Sequence, residues 1–401
     1  MHILISDYSG HPFQVQLSRE LARRGHRVTH MHFAGFQTPK GNLTVRPGDP
    51  DTFAIEAITL DTPFAKATFV ARWRQENEVG RRIAARIAAL RPDVVISSNA
   101  PLDTQRHIRR ASRKADAKFV FWLQDIYSRA ITAVVPKKLP VIGHAIARWY
   151  EHLEFALLRG SDRVVAITDD FRPILIAHGV AESRIAVIEN WAPLDEIPLM
   201  PRENAWAQAY YTGDGMRFLY SGTLGYKHNP HWLLALARRF PDAQVCVTSQ
   251  GEVADKVAAD AAAEGLANLT VRPWVPFADL PALLGGADVM VAFIEPDAGV
   301  FSVPSKVLSY LAAGRPVLGA MPRQNLAARL LERQQAGLVS DCGDTADFLA
   351  KAARLAGDAA LRGAMGENAR RYALRAFDIE NIGERFLGVI ADQAAPKEKR
   401  A

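Results

Sequence analysis

Short apolar runs separated by longer amphipathic stretches recur through the whole chain, and this alternation restricts the architecture more than any single motif. HILIS (2–6), RVTHMHF (27–33), DVVISS (93–98), KFVFWL (118–123), RVVAIT (163–168) and RIAVIEN (184–190) have strand length and strand composition. Between the first two, Phe13, Leu17 and Leu21 fall on one helical face, and Gly25 stands where a left-handed C-terminal cap belongs. The second half repeats the scheme with RFLYSG (217–222), QVCVTS (244–249), LTVRPWV (269–275), DVMVAFI (288–294), PVLGAM (316–321) and GLVS (337–340). Strand–helix–strand repetition of this kind predicts parallel sheets covered by helices, an α/β class.

The 401 residues exceed what one ordinary core organises, so two domains are expected. The join falls in NWAPLDEIPLMPRENAWA, where Pro193, Pro198 and Pro201 suit an extended connector better than a helix or strand. This gives a first domain over 1–195 and a second over 196–377. A final helical pattern, DIENIGERFLGVIADQ, lies in the segment 378–401 and is expected to pack back on the first domain. The charged tail APKEKRA after it is expected to be disordered.

Composition excludes several classes. No window approaches the roughly 18 uninterrupted apolar residues of a membrane span. MHILISDYSG meets Asp7 before a signal-peptide core forms, which predicts a cytoplasmic protein. Two cysteines, Cys246 and Cys342, supply neither a disulfide framework nor a metal site. The net charge of +6 is asymmetric: residues 1–195 carry 27 Lys and Arg against 20 Asp and Glu, and the remainder 22 against 23. The basic excess sits in RWRQENEVGRRIAARIAALR (72–91) and RHIRRASRKADAK (106–118), which read either as solvated helix faces or as a surface for anionic lipid or a phosphorylated acceptor. The excess is modest and has no interleaved aromatics, so no nucleic-acid partner is expected. VVPKKLPVIGHAIARWYEHLEFALLRG (134–160) mixes lysines, Trp149 and apolar residues. It suits an interfacial helix at the inner face of a membrane, or a buried helix closing the first domain.

In doubly wound sheets ligands bind at carboxyl ends of strands, where strand order reverses. Four stretches at such ends carry polar groups or glycines. Gly10 and His11 follow the first strand and open a helix whose first N–H groups are available to an anion or a sugar hydroxyl. No G-x-G-x-x-G fingerprint is present, which weighs against a nicotinamide enzyme. Gly222, Thr223 and Lys227 lie in a loop suited to a diphosphate, ahead of a helix start marked by Asn229 and Pro230. His228 and His231 have no third ligand nearby, so no metal is expected there. In VFSVPSKVLSYLAAGRPVLGAM, Ser305 and Lys306 occupy the first turn of a helix whose apolar stripe is Val307, Leu308 and Leu311. A cation at a helix N-terminus opposes the macrodipole, and a bound anion would reverse the sign. Asp125, after KFVFWL, is placed to meet an acceptor hydroxyl or simply to form a turn. Trp274 and Val275 end another strand, where they meet a nucleobase or fill the core. Asp49-Pro50-Asp51 spells a D-x-D, a pattern that holds a metal in some enzymes, but within GNLTVRPGDPDTF it reads as a turn.

SGHPFQVQLSRELARRGH, WLQDIYS, YSGTLGYKHNP and above all VPSKVLSYLAAGRPVL together resemble family 4 glycosyltransferases of the GT-B fold. The resemblance is narrower still to the WcaI/WbuB-like branch that makes colanic-acid, O-antigen and capsule sugars. It covers nearly the full chain. It implies two Rossmann-like, doubly wound domains facing a central cleft, with the nucleotide-sugar donor in the second and a glycan or polyprenyl-diphosphate-linked acceptor on the first. It further implies that Lys227 and Lys306 hold the donor diphosphate with Gly222, Thr223 and Ser305, that Gly10 lies in the first-domain glycine loop, and that Asp125 takes the acceptor-side polar position. Retention of anomeric configuration without metal or cofactor is implied as well. The chain departs from the E-x7-E pattern of many relatives: Ser309 stands at the second glutamate and Phe301 at the first, with Glu295 too far upstream. Two other readings compete with the transferase, a nucleotide-sugar 2-epimerase of the same fold and a non-catalytic sugar-nucleotide or lipid-binding partner.

Overall fold

The computed structural model describes residues 1–36, 38–64, 69–98, 100–225, 228–296 and 305–391. The chain divides into two compact units, Met1–Asn190 with the segment from Ile379, and Trp191–Asp378. Each is built around one parallel sheet.

The first unit orders its strands β3-β2-β1-β4-β5-β6-β7. They are β1 (His2–Asp7), β2 (Arg27–Phe33), β3 (Phe53–Ile58), β4 (Val94–Ser98), β5 (Lys118–Leu123), β6 (Arg163–Ala166) and β7 (Ile185–Val187). β1 and β4 are buried almost throughout, as strands covered by helices on both faces must be. β3 was not expected from the sequence. Its FAIEAI lies at an edge of the sheet and is partly exposed along its middle, where Glu56 interrupts the apolar residues. The Pro12–Arg23 helix ends as expected: Gly25 has φ +84°, its N–H bonds to Ala22, and the His26 N–H reaches back to Leu21.

The second unit orders its strands β10-β9-β8-β11-β12-β13. They are β8 (Arg217–Ser221), β9 (Gln244–Thr248), β10 (Leu269–Arg272), β11 (Val289–Phe293), β12 (Val317–Ala320) and β13 (Gly337–Ser340). Phe218, Tyr220, Leu233, Leu236, Val245, Val291, Phe293 and Phe348 join its core.

The proline-rich connector contains no helix or strand until Ala205, where Asn204 caps a short helix by accepting the Ala207 N–H. It is packed rather than solvated: Trp191, Ala192 and Ile197 are buried. The final helix, Ile379–Ala391, returns to the first unit. Phe386 meets Trp122 edge-on with ring centroids 4.8 Å apart, Arg24 donates to the Glu380 carbonyl, and Lys118 donates to that of Ile390. The charged tail lies outside the described residues.

In both sheets the strand order reverses beside the first strand, between β1 and β4 in one and between β8 and β11 in the other. Those reversal points are where a parallel sheet opens a crevice at its carboxyl edge. The loops after β1 and β8 therefore hold the positions most suited to ligand chemistry.

Candidate functional site

The loop after β1 is organised by a residue that the sequence analysis did not select. Asp7 is fully buried at the end of the strand, and its carboxylate accepts the N–H groups of Ser9 at 3.0 Å, Gly10 at 2.9 Å and His11 at 2.6 Å. With its amide oriented to satisfy both neighbours, Gln14 donates to Asp7 at 2.6 Å and accepts from the Ser98 hydroxyl at 2.6 Å. The expectation that these N–H groups await an outside anion is corrected here, because the Asp7 side chain already accepts them. Burial raises the Asp7 carboxyl to about 7, against the pull of its three N–H donors. Burial also pushes His11 down to about 4 and His30 to about 3, so the imidazoles around this loop are neutral at pH 7. Gly10 has φ +79°, and a side chain there would strike Leu43. What the loop presents is the His11 ring, stacked on Phe13 at 5.6 Å.

Asp125 lies two residues beyond β5, half-buried, directly before the helix Tyr127–Lys138. The start of that helix is held by Glu154, fully buried, which accepts the N–H groups of Tyr127 and Ser128, both at 2.9 Å. Burial raises the Glu154 carboxyl, and the nearby Asp125 charge adds to the effect. Glu154 lies inside a helical stretch, and no sequence signal distinguished it from a solvated face. Asp49 of the DxD is paired with Arg19 at 3.1 Å, both side chains buried, and Arg19 donates further to the carbonyls of Asn42 and Thr44. This pair ties down the loop, as a turn reading of the motif requires.

In the second unit the loop after β8 is arranged differently. The Gly222 N–H bonds to the Thr248 carbonyl at 3.0 Å, the Leu224 N–H to the Ser249 hydroxyl at 3.0 Å, and the Gly225 N–H to His228 Nδ1 at 3.0 Å. Thr223 is exposed between them, and no hydrogen bond among the described residues engages its N–H or hydroxyl. His228 is thereby a loop brace, and His231 Nε2 meets the Thr345 hydroxyl at 2.8 Å. Among the described residues no three His, Cys, Asp or Glu side chains form a metal-binding group.

Lys306 reaches this loop from the helix Ser305–Ala312, the next helix after β11 among the described residues. Its Nζ donates to the Tyr220 hydroxyl and sits 4.0 Å from the centre of the Tyr220 ring. The Tyr220 hydroxyl in turn donates to the Thr223 carbonyl at 2.9 Å. A Cβ on Gly222, whose φ is +137°, would come within 3.1 Å of Lys306 Cε, so glycine lets the lysine stem lie against the loop backbone. One turn further along, the Tyr310 hydroxyl accepts the Ser221 N–H at 2.9 Å and donates to the Ser221 carbonyl at 3.0 Å. Two buried tyrosines thus bind the lysine-bearing helix to the end of β8. Neither was selected from the sequence, where both read as core aromatics.

Ser305 is exposed at the head of the same helix and Ser309 is half-buried within it. Trp274 and Val275 follow β10, two strands from β8. The Trp274 indole N–H is buried with no partner among the described residues, a donor without an acceptor. Lys227 and Phe301 lie outside the described residues. The fold therefore brings Gly222, Thr223 and Lys306 together at the reversal point of the second sheet, with Ser305 and Ser309 on the same helix as Lys306.

The first unit carries the neutral His11, the Asp125 turn and a band of exposed apolar side chains. The turn between Tyr127–Lys138 and the helix Gly143–Arg159 exposes Val141 at 94% and Ile142 at 55%, and Trp149 is 54% exposed. Residues 127–150 contain no Asp or Glu but include Arg129, Lys137, Lys138 and Arg148. Tyr150 and Trp73 share Asp103 as acceptor, at 2.7 and 3.1 Å, which joins the exposed start of the helix Phe69–Leu90 to this surface. Among the described residues no helix is long and apolar enough to cross a membrane.

Comparison with known proteins follows these two units. Residues 11–191 match the glycosyl transferase 4-like domain, and residues 215–358 match the glycosyl transferases group 1 domain. The probable glycosyltransferase WbjE of Pseudomonas aeruginosa is 23% identical over 253 residues, a match that spans 62% of this chain and 62% of that protein. Anabaena HepE, solved with UDP-glucose, superposes with a TM-score of 0.72 at 17% identity, covering 98% of this chain and 99% of its own. WaaG, a glycosyltransferase involved in lipopolysaccharide biosynthesis, superposes with a TM-score of 0.68 at 17% identity, covering 98% of this chain and all of its own. The chain belongs to the family 4 glycosyltransferases of the GT-B fold, with a 4-like domain followed by a group 1 domain.

Proposed function

We propose that the protein transfers a sugar from a nucleoside-diphosphate donor to a glycan or lipid-linked acceptor in cell-surface polysaccharide biosynthesis. The observation that carries this reading is the convergence of Lys306 with the Gly222–Thr223 loop at the reversal point of the second sheet. HepE, which shares the fold, is solved with UDP-glucose. WaaG acts in lipopolysaccharide biosynthesis, which supports the cell-surface context.

The chemistry follows from where charge develops. As the glycosidic bond to the diphosphate breaks, the sugar carbon becomes cation-like and negative charge grows on the leaving phosphate. A fixed ammonium beside that phosphate stabilises the transition state more than the ground state. Lys306 is held for this task by Tyr220, with Thr223 and Ser305 offering hydroxyl and N–H donors to the same oxygens, and Lys227 joining them. Ser309 and Trp274, the latter with its unpartnered N–H, are assigned to the sugar, ribose or base of the donor, together with Val275. Gly10 and His11 shape the acceptor side, and Asp125 receives the acceptor proton or orients its hydroxyl. The reading is of a retaining transfer, in which the hydroxyl attacks on the face of the departing phosphate, with no protein-bound metal. A thermal-shift panel of UDP-, GDP- and TDP-sugars tests the donor assignment: one base should raise the melting temperature, and no shift with any of them would overturn it.

The acceptor side is read as membrane-proximal. An acid-free stretch with four cations flanking exposed Val141, Ile142 and Trp149 suits the headgroup region of an anionic bilayer, where aromatic and cationic side chains both gain. Flotation with phosphatidylglycerol vesicles should recover the protein at low salt and lose it at high salt. Equal recovery with neutral vesicles would remove the electrostatic part of this reading.

A further inference from the structure

The Gly-Arg-Pro turn that ends the lysine-bearing helix is not used by the donor chemistry. Arg315 and Pro316 lie directly before β12, at the amino edge of the second sheet, and the candidate donor groups lie at its carboxyl edge. A cavity of about 670 Å³ opens at this amino edge. Four arginines line it: Arg315 from the turn, and Arg362, Arg370 and Arg371 from the helix Ala359–Ala376.

Part of this arrangement is structural. Arg370 donates through Nη1 to the Ala312 and Ile197 carbonyls, Arg362 through Nη1 to those of Leu355 and Ala356, and Arg315 through Nη2 to those of Gly285 and Met200. Ala312, Gly285 and Leu355 lie in the last turns of three helices, so each guanidinium answers a helix C-terminus. Capping uses only one nitrogen of each. Arg315 Nε is buried with no partner, and Arg371 bonds only the Asn368 side chain. None of the four forms an ion pair among the described residues. Of the two acids on the wall, Asp288 is held by Arg202 at 2.8 Å, and Glu367 is exposed. Burial lowers the pKa of both Arg315 and Arg370, so the fold keeps cations here against their own desolvation.

The helix wall also leaves room. Gly363 lines the cavity in the interior of its helix, where glycine is destabilising relative to alanine, and a Cβ there would meet nothing within 4 Å. Packing does not demand this glycine, and a larger residue would project into open space. Leu199, Leu374 and Pro316 add apolar surface beside the guanidiniums.

We propose that this cavity binds a phosphate-bearing small molecule, its phosphate received by the unused guanidinium N–H groups and its remainder resting on the apolar wall. Guanidinium groups match phosphate oxygens in pairs, and the volume falls in the range of small-ligand sites. The site is separate from the donor pocket and does not depend on the function proposed above.

Calorimetric titration of the full chain with inorganic pyrophosphate, alone and with saturating UDP, tests it. Binding at one site should survive UDP. The double change Arg362→Gln/Arg371→Gln should weaken that binding by about tenfold or more. Gly363→Leu, which adds apolar bulk to the cavity wall without removing a charge, should weaken it by about tenfold or more while leaving the melting temperature unchanged or higher. UDP affinity should be the same in the parent and both variants. Pyrophosphate affinity unchanged in both variants, or lost entirely under UDP, would overturn the proposal. Failure of UDP to bind the parent would instead remove the donor reading, and comparison of the variants with pyrophosphate alone would still decide the cavity.

Discussion

The loops after β1 and β8 are the same topological device, a strand-to-helix turn at the reversal point of a parallel sheet, and the two units equip them in opposite ways. After β1 the negative group is part of the chain: Asp7 takes the N–H groups of Ser9, Gly10 and His11. After β8 the loop closes on neutral acceptors, a carbonyl, a hydroxyl and an imidazole, and a lysine is brought against it from another helix. The first turn has its N–H donors satisfied by a side chain of its own, and the second has a lysine laid against it. A turn of the first kind presents shape and a neutral ring, whereas one of the second kind presents a lysine stem and an exposed hydroxyl.

Removing that positive group should have the largest effect. Lys306→Ala is expected to lower turnover by at least about tenfold, the equivalent of about 1.4 kcal/mol of transition-state stabilisation. It is measured as nucleoside-diphosphate release, and unchanged turnover would erase the contrast between the loops. Gly222→Ala attacks the same contact from the backbone. At φ +137°, with Lys306 Cε 3.1 Å from the new Cβ, it should cost about 1–3 kcal/mol in chemical denaturation and move the lysine as well. Tyr220→Phe keeps the ring beneath Lys306 and removes only the hydroxyl that joins it to the Thr223 carbonyl. Turnover should fall a few-fold, about the loss of one hydrogen bond, with little change in melting temperature. A large loss of stability instead would make Tyr220 a core residue only.

The smallest effect tests the other loop. The Asp7 carboxyl is raised in the folded state from 3.8 to about 7, so folding favours its protonated form. Its contribution to stability is therefore fully present below about pH 4 and is lost as pH rises through 7. Asp7→Asn keeps the acceptor oxygen and removes the titration. The melting temperature of this variant, relative to the parent, should rise between pH 4 and 7 and level off above that. The opposite slope would show that the three N–H donors outweigh burial and hold Asp7 ionised.

Much of this was legible in the sequence, and what was not has a common cause. Twelve of the thirteen strands are read from short, largely apolar stretches of the sequence. The exception, β3, is half-exposed because it is an edge. Lys306 stood out because a cation in a first helical turn is unfavourable without an anion. Asp7, Glu154, Tyr220 and Tyr310 did not stand out. Glu154, Tyr220 and Tyr310 draw their roles from partners 26 to 89 positions away, and Asp7, whose donors lie only two to four positions on, from the burial that tertiary packing imposes.

The sequence alone determined the two α/β units and placed Lys306 in the first turn of a helix. Periodicity and helix-end electrostatics are local, and a local pattern survives in a one-dimensional record. Only the tertiary structure decided which of the two turns is already satisfied. Burial is set by packing across the whole unit, and the three N–H groups that look available after β1 are taken by Asp7, only two to four positions before them, which the fold buries at the end of its strand.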